Sequence, residues 1–487
     1  MPWGDEVSRR GVLRTAAAGL TAAVLPAQWL RAQRGGATGM QGLPSADEMM
    51  EWIAEIVDHG IRRPAYRADK WVESWAAERF EAFGLEDVRR EKVDVPEWDP
   101  GDASLRLEPE GPRFTGFPLP HSTPDTVEGE LATLTEEPPA GSLTGRIAVF
   151  ELDPIVLPQS AARGLATSSY DPAGDFETLE QILPFATNFQ TVMEPAIDAG
   201  AIGFVGLLTG FPWDTRDYYV PYDAIERPIP GVWLSGSDGR ELLDLMAAGT
   251  VTARLAMEAE RSPAVSRNVI GTLPGASDEW VIVASHHDAP WASAVEDGSG
   301  IAMVLAQARY WAGVPRTERR HNMLFMLTAG HMVAAAGTEA FIEEHQRIVG
   351  NTVLEVHLEH AARRCVGENG ELVPTDEPEV RWWFTSESPT LQATVQTALE
   401  TEDLRRSLVL RPDVFFENPP TDGSAFHAAG VPLVHFLTAP MYLFDKRDTL
   451  DKIHEASLEP VARAVIQIIK STAGVTAAEM RAGVVAS

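Results

Sequence analysis

The sequence predicts an α/β protein, a mostly parallel mixed sheet covered by helices on both faces, with an inserted small β-rich domain. Three observations carry this expectation. From Asn268 onward, short apolar runs of strand length alternate with segments of helical periodicity. Between about 121 and 262, short apolar strands are separated by Gly and Pro turns instead. With 487 residues, 44% hydrophobic, 39 Gly and 35 Pro, the chain is too long for one ordinary domain and too well mixed for disorder.

Taken in order, residues 1–36 read as an export signal. Ser8-Arg-Arg-Gly-Val-Leu-Arg precedes the short Ala-rich stretch Thr15–Leu25, which Pro26 ends; paired arginines before a weakly apolar run resemble a twin-arginine leader. The spacing then predicts a helix over 45–83, with Ser45 as cap, Trp71, Trp75, Phe80 and Phe83 on one stripe, and Gly84 as its end. Val88 to Val95 alternates as a strand and completes a first core segment, 37–120. In the 121–262 insert, Gly145-Arg-Ile-Ala-Val-Phe, Ala201-Ile-Gly-Phe-Val-Gly-Leu-Leu and Ile229-Pro-Gly-Val-Trp-Leu-Ser are strands, the last leading into a helix at Asp238. The second core segment, 263–487, follows: strands at 280–284, 322–327 and 353–358, with helices at 300–311 and 338–344 between them. In open sheets of this kind the chemistry lies past the carboxyl ends of the strands.

Composition narrows the partners. A formal net charge of -31 repels phosphate backbones and anionic lipid, so no nucleic acid is expected. No apolar run reaches the roughly 18 to 20 residues of a membrane span. One cysteine, Cys365, excludes an intrachain disulfide and any zinc site of several thiolates.

The residues that carry chemistry sit at the predicted strand ends. His286-His287-Asp288 follows an apolar strand, and a His-x-Asp pair suits a metal ligand oriented by a carboxylate. Glu296 stands ten residues beyond His286, at a helix start that can aim it back into the cleft. Trp213, Tyr218, Tyr219 and Tyr222, flanked by Arg216 and Arg227, suit either an aromatic or carboxylate-bearing ligand or ordinary packing of the insert.

With Asn268-Val-Ile-Gly, His286-x-Asp288, the Glu296–Gly300 turn, Thr328-Ala-Gly-His, Gly337-Thr-Glu-Ala-Phe, Thr421-Asp-Gly-Ser-Ala-Phe, Gly430-Val-Pro and Asp448-Thr-Leu-Asp-Lys-Ile in this order, the chain resembles the zinc exopeptidases of the aminopeptidase Y and glutamate carboxypeptidase II family. The 121–262 insert is similar to that family's protease-associated domain. The resemblance implies two zinc ions bridged by an aspartate. It puts His286 at the first His ligand, Glu296 at the bridging carboxylate, His331 at the next ligand and Glu359 at the third carboxylate. Two positions depart further: Gly330 stands where the family carries its general base, and Phe444 where it carries its last His.

Glycine cannot take a proton and phenylalanine cannot bind a metal. The expectation is therefore one divalent metal per chain, zinc first, with iron or manganese as alternatives. His286, Glu296 and Glu359 would hold it, with His331 as a fourth ligand or as a base. His331, Asp288 and His360 are the candidate catalytic groups; His357, one pleat deeper than Glu359, and Asp445, beside Phe444, are further candidate ligands. Asp297 reads as a helix-start carboxylate. The function expected is a divergent metal-dependent hydrolase of a small amide or peptide-like substrate, with a non-catalytic binding or scaffold protein on the same fold as the alternative.

Overall fold

The computed structural model describes residues 40–485, so the expected export signal lies outside the described residues. Where one helix was expected over 45–83 there are two, Ala46–Asp58 and Arg67–Phe83. Gly60 and Pro64 lie in the break, and a residue before proline disfavours helical geometry. The break matters, because it carries Arg62 and Arg63 into the interior. Ser45 caps the first helix, its side chain accepting from the Glu48 amide at 3.2 Å, and Gly84 closes the second at φ 88°.

A 14-stranded sheet runs through the described residues. Its centre is parallel: Trp280–His286 lies between Asn322–Thr328 and Thr352–Leu358, and Leu433–Thr438 pairs beyond the latter. Antiparallel strands flank this centre, Thr252–Leu273 against 322–328 and Arg381–Thr385 against 433–438. The central strands are buried on both faces and read as near-continuous apolar runs, as a parallel sheet between helices requires. Helix Gly300–Ala312, nearly all buried, covers one face together with Ala46–Asp58, Arg67–Phe83 and Glu455–Ser471. The fold class is the α/β mixed sheet expected.

Glu86–Glu108 and Thr252–Leu273 form a long antiparallel ribbon leading from this core to the insert. There Asp125–Thr133, Ile147–Glu151, Gly203–Leu207 and Gly231–Leu234 pair in parallel, with helix Gly236–Ala248 capped by Ser235. Val205, Leu207, Val232, Leu234, Leu242 and Leu255 form a separate apolar cluster. One piece of the insert does not stay with it: Ser168–Tyr170 pairs with Ser407–Leu410 at the far edge of the main sheet. No helix among the described residues is long and apolar enough to cross a membrane.

Candidate metal centre

His286, Thr328, Glu359 and Thr438 lie at or just past the carboxyl ends of four adjacent central strands. Glu296 comes from the turn before helix Gly300–Ala312, and two buried groups hold that turn. The Arg62 guanidinium donates to the carbonyls of His287, Ala292, Ser293 and Glu296 at 3.2, 3.0, 2.8 and 3.1 Å. The Asp448 carboxylate accepts from the amides of Val295 and Glu296, both at 2.8 Å. Burial pushes Asp448 up to about 7, against the pull of those amides.

The structure brings His286, Glu296, Glu359, His360 and His331 together, all buried. His286 Nε2 lies 3.5 Å from Glu296 Oε1 and 3.9 Å from Glu359 Oε1. His360 Nε2 lies 2.6 Å from Glu296 Oε2 and 3.7 Å from Glu359 Oε2. Despite these approaches, none of these atoms makes a directed hydrogen bond. Their other ring nitrogens are used: Nδ1 of His286 bonds the Asp288 carbonyl at 2.9 Å, and Nδ1 of His360 bonds the Thr438 carbonyl at 2.9 Å. Each imidazole therefore donates through Nδ1 and turns Nε2 toward the carboxylates, the orientation a metal ligand needs. Orphaned, fully buried nitrogen and oxygen atoms of this kind fit a divalent cation.

His331 stands beside this cluster. Its ring stacks on His286 with centroids 3.9 Å apart and 11° between planes, and its Nε2 is 3.7 Å from Glu296 Oε1. Its Nδ1 bonds Asp422 Oδ1 at 2.8 Å, while Asp422 Oδ2 accepts from Thr328 and Thr338 at 2.6 and 2.8 Å. Burial works to lower His331, but Asp422 and the nearby glutamates outweigh it and carry the imidazole up to about 10. His286, deprived of water and beside His331, is pushed down to about 4.

Several expectations need correction. The orienting group of His286 is the backbone carbonyl of Asp288 and not its carboxylate, which instead accepts from the amides of His331 and Met332 at 3.0 and 2.8 Å. Asp297 does cap the following helix, through Gly300 N at 3.0 Å, but it also accepts from Ser285 and from His360 N. Asp445 turns away and accepts from Trp213 Nε1 at 3.1 Å, so it does not replace the ligand missing at Phe444. The Phe444 ring meets Tyr222 at 5.1 Å. Trp213, Tyr218 and Tyr219 are buried packing, Arg227 is bound to Asp223, and Arg216 reaches the Thr115 carbonyl; of that aromatic group only Tyr222 reaches the centre, stacked over His331 at 5.4 Å.

Sequence reasoning missed Arg62, Glu355, Asp422 and His435. Asp422 stood inside a quoted motif, Thr421-Asp-Gly-Ser, without a role. His435 had one signal, a histidine within a run of strand residues, where a polar side chain is costly unless paired.

Residues 268–469 match peptidase family M28. No curated protein matches the chain at a significant level. Among solved structures, the chain is similar to the peptidase M28 precursor from Shewanella amazonensis SB2B, with 19% identity and a TM-score of 0.68 over 91% of this chain and 94% of that one. An aminopeptidase from Aneurinibacillus sp. strain AM-1 aligns with 17% identity and a TM-score of 0.63, covering 90% and 95%. BSAP, a zinc aminopeptidase from Bacillus subtilis, aligns with 16% identity and a TM-score of 0.62, covering 88% and 95%. The M28 match thus lies in the second half of the chain, and the fold is shared with these structures along most of its length.

Proposed function

We propose that the protein is a metal-dependent hydrolase acting on an amide bond of a small or peptide-like substrate. The observation that carries this reading is the facing set of orphaned, buried ligand atoms on His286, Glu296, Glu359 and His360. The M28 match and the fold shared with zinc aminopeptidases support it and favour zinc, although two imidazoles and two carboxylates also suit iron or manganese. When bound, such an ion supplies Lewis acidity toward a carbonyl oxygen and lowers the pKa of water.

The remaining work falls to this chain's own residues. Arg62 and Asp448 fix the turn that aims Glu296. Asp422 holds the Nδ1 proton of His331. With a cation offsetting the glutamates that raise this imidazole, Nε2 would be the atom that accepts and returns a proton, the role that the resemblance assigns to a glutamate at the position of Gly330. His360 is then a ligand rather than the proton carrier. Asp288 positions His331 by accepting from the backbone amides of His331 and Met332. Tyr222 and Phe444 roof the centre with apolar surface, which strengthens electrostatic contacts beneath them.

The proposal extends to the flanking segments: residues 121–262 as a protease-associated-like lid, and residues 1–36 as a twin-arginine-type leader directing the chain out of the cytoplasm. A second reading, a non-catalytic binding protein, is favoured by one observation. A side chain at Gly330 would begin at φ 74° with its Cβ 3.1 Å from Val333, so that turn does not readily take a base. The two readings separate on a panel of aminoacyl and small-amide reporters. Chelator-sensitive turnover that disappears in His331→Gln with metal retained supports the hydrolase; a metal-loaded protein that cleaves none of them supports the binder.

A further inference from the structure

We infer that Glu359 bridges two metal positions, the outer one described above and an inner one held by His357, Glu359 and His435. The inference rests on the outer reading only for its bridge; the inner residues stand on their own geometry.

His357 and His435 are directly opposed on neighbouring parallel strands, so their side chains share one face of the sheet. Glu355 and Glu359 lie on that face as well, two residues to either side of His357. His357 Nε2 is 3.0 Å from Glu359 Oε1, and His435 Nε2 is 3.9 Å from Glu359 Oε2. The three residues offer ligand atoms all within 4.8 Å of one another, and all are fully buried. Ligands at about 2.1 Å in tetrahedral array stand about 3.4 Å apart, which is the range seen here.

Three features separate this from a plain buried ion pair. First, His357 Nε2 and both Glu359 oxygens lack a directed hydrogen bond despite their proximity. Second, Glu355 Oε1 sits 3.0 Å from His357 Nδ1, the carboxylate–imidazole arrangement that orients a metal-binding histidine from behind. Third, the two rings meet edge to face instead of stacking, with centroids 4.9 Å apart and 75° between planes, and the nearest nitrogen of each to Glu359 is its Nε2. Thr421 Oγ1 lies 3.1 Å from His435 Nε2, a contact that nitrogen would give up on binding metal. Gly423 leaves the ring its place, since a Cβ there would stand 2.6 Å from His435 Nδ1. Glu296, Asp297, Glu355, Glu359 and Asp422 are all fully buried around this floor, a charge density that a second divalent cation relieves.

The chain has thus lost a family ligand at Phe444 on the lid side of the centre and gained two imidazoles on the sheet side. The expected count rises from one metal per chain to two, both His/Glu sites open to zinc, manganese or iron(II).

The test is metal analysis of the full chain reconstituted separately with zinc, manganese and iron(II), beside His357→Gln, His435→Gln and His286→Gln, with circular dichroism as the control for folding. Two equivalents in the wild type, falling to one in either inner variant and to one in His286→Gln, is the expected result. One equivalent that the inner variants keep and His286→Gln loses overturns the inner site and leaves the outer reading standing. One equivalent that only the inner variants lose upholds the inner position and overturns the outer reading. Should the variants fail to fold, anomalous scattering from wild-type crystals decides: a peak about 2.1 Å from His357 Nε2 and His435 Nε2 upholds the proposal, and none there overturns it.

Discussion

Arg62→Met removes the group that holds the ligand-bearing turn, and its cost can be worked from four contacts. The guanidinium is fully buried and donates at 3.2, 3.0, 2.8 and 3.1 Å to carbonyls spread over residues 287–296. A buried acceptor that loses a charged donor costs about 1–3 kcal/mol. Four such losses would total more, but the loop relaxes and the guanidinium's own desolvation cost disappears. Burial already pushes Arg62 below its ordinary value, against the pull of Asp448, Asp297, Asp69 and Glu296. Breaking a buried charged network from one side leaves a net loss of about 3–5 kcal/mol. The assay is urea unfolding, read as a lowered midpoint at unchanged slope. Arg63→Met is the control next door. That guanidinium lies among the rings of Tyr66, Trp98, Tyr219 and Trp291 and has one long contact, 3.4 Å to the Tyr66 hydroxyl. Methionine fills such a cage, so the loss there is about 1–2 kcal/mol. If Arg62→Met costs no more than Arg63→Met, the account of how Glu296 is aimed is wrong.

Three further outcomes are expected. His121 is buried, and desolvation with Arg261 and Arg227 nearby pushes it down to about 3. Below the unfolded value of about 6.5 the unfolded chain binds a proton that the folded chain refuses, so stability falls with pH from there, by about 2 kcal/mol at pH 5. His121→Asn, which suits the local φ of 60°, should flatten that part of the pH–stability curve, and an unchanged slope would contradict the assignment. Asp422→Asn keeps the shape of a side chain that His331, Thr328 and Thr338 all contact, but loses its charge; unfolding measurements should show a loss of about 2 kcal/mol, and a neutral result would mean that His331 is not held as described. Gly206→Ala would put a Cβ 2.2 Å from the Trp233 ring, and calorimetry should register about 1–3 kcal/mol of overpacking strain.

Much of the fold was legible because its signals are local. The strand at 280–286, the helix at 300–312 and the Ser45 and Gly84 caps announce themselves within a few residues. The split of the first helix was not read, because the aromatic stripe from Trp71 to Phe83 continues the earlier periodicity while Gly60 and Pro64 interrupt only the backbone. At the site, His286, His331, Glu359 and His360, read past strand ends, and Glu296, read at a helix start, do converge. His435 was not, because what makes it interesting is a register partner 78 residues away, His357, and strand pairing is not written in local pattern. Arg62 looked no different from Arg63 in sequence. Backbone direction in the break decides that one reaches the turn that carries Glu296 and the other the aromatic cage. Asp288 was recognised for its spacing, yet its carbonyl does the orienting, a distinction set by how the backbone turns after the strand.

The most direct test of the central claim is elemental analysis of the folded protein beside a His286→Ala, Glu296→Ala double variant whose fold is checked in parallel. Tightly bound divalent metal in the wild type and one equivalent fewer in the variant is the expected result. Wild-type protein without bound metal, or a variant that holds as much as the wild type, would contradict it.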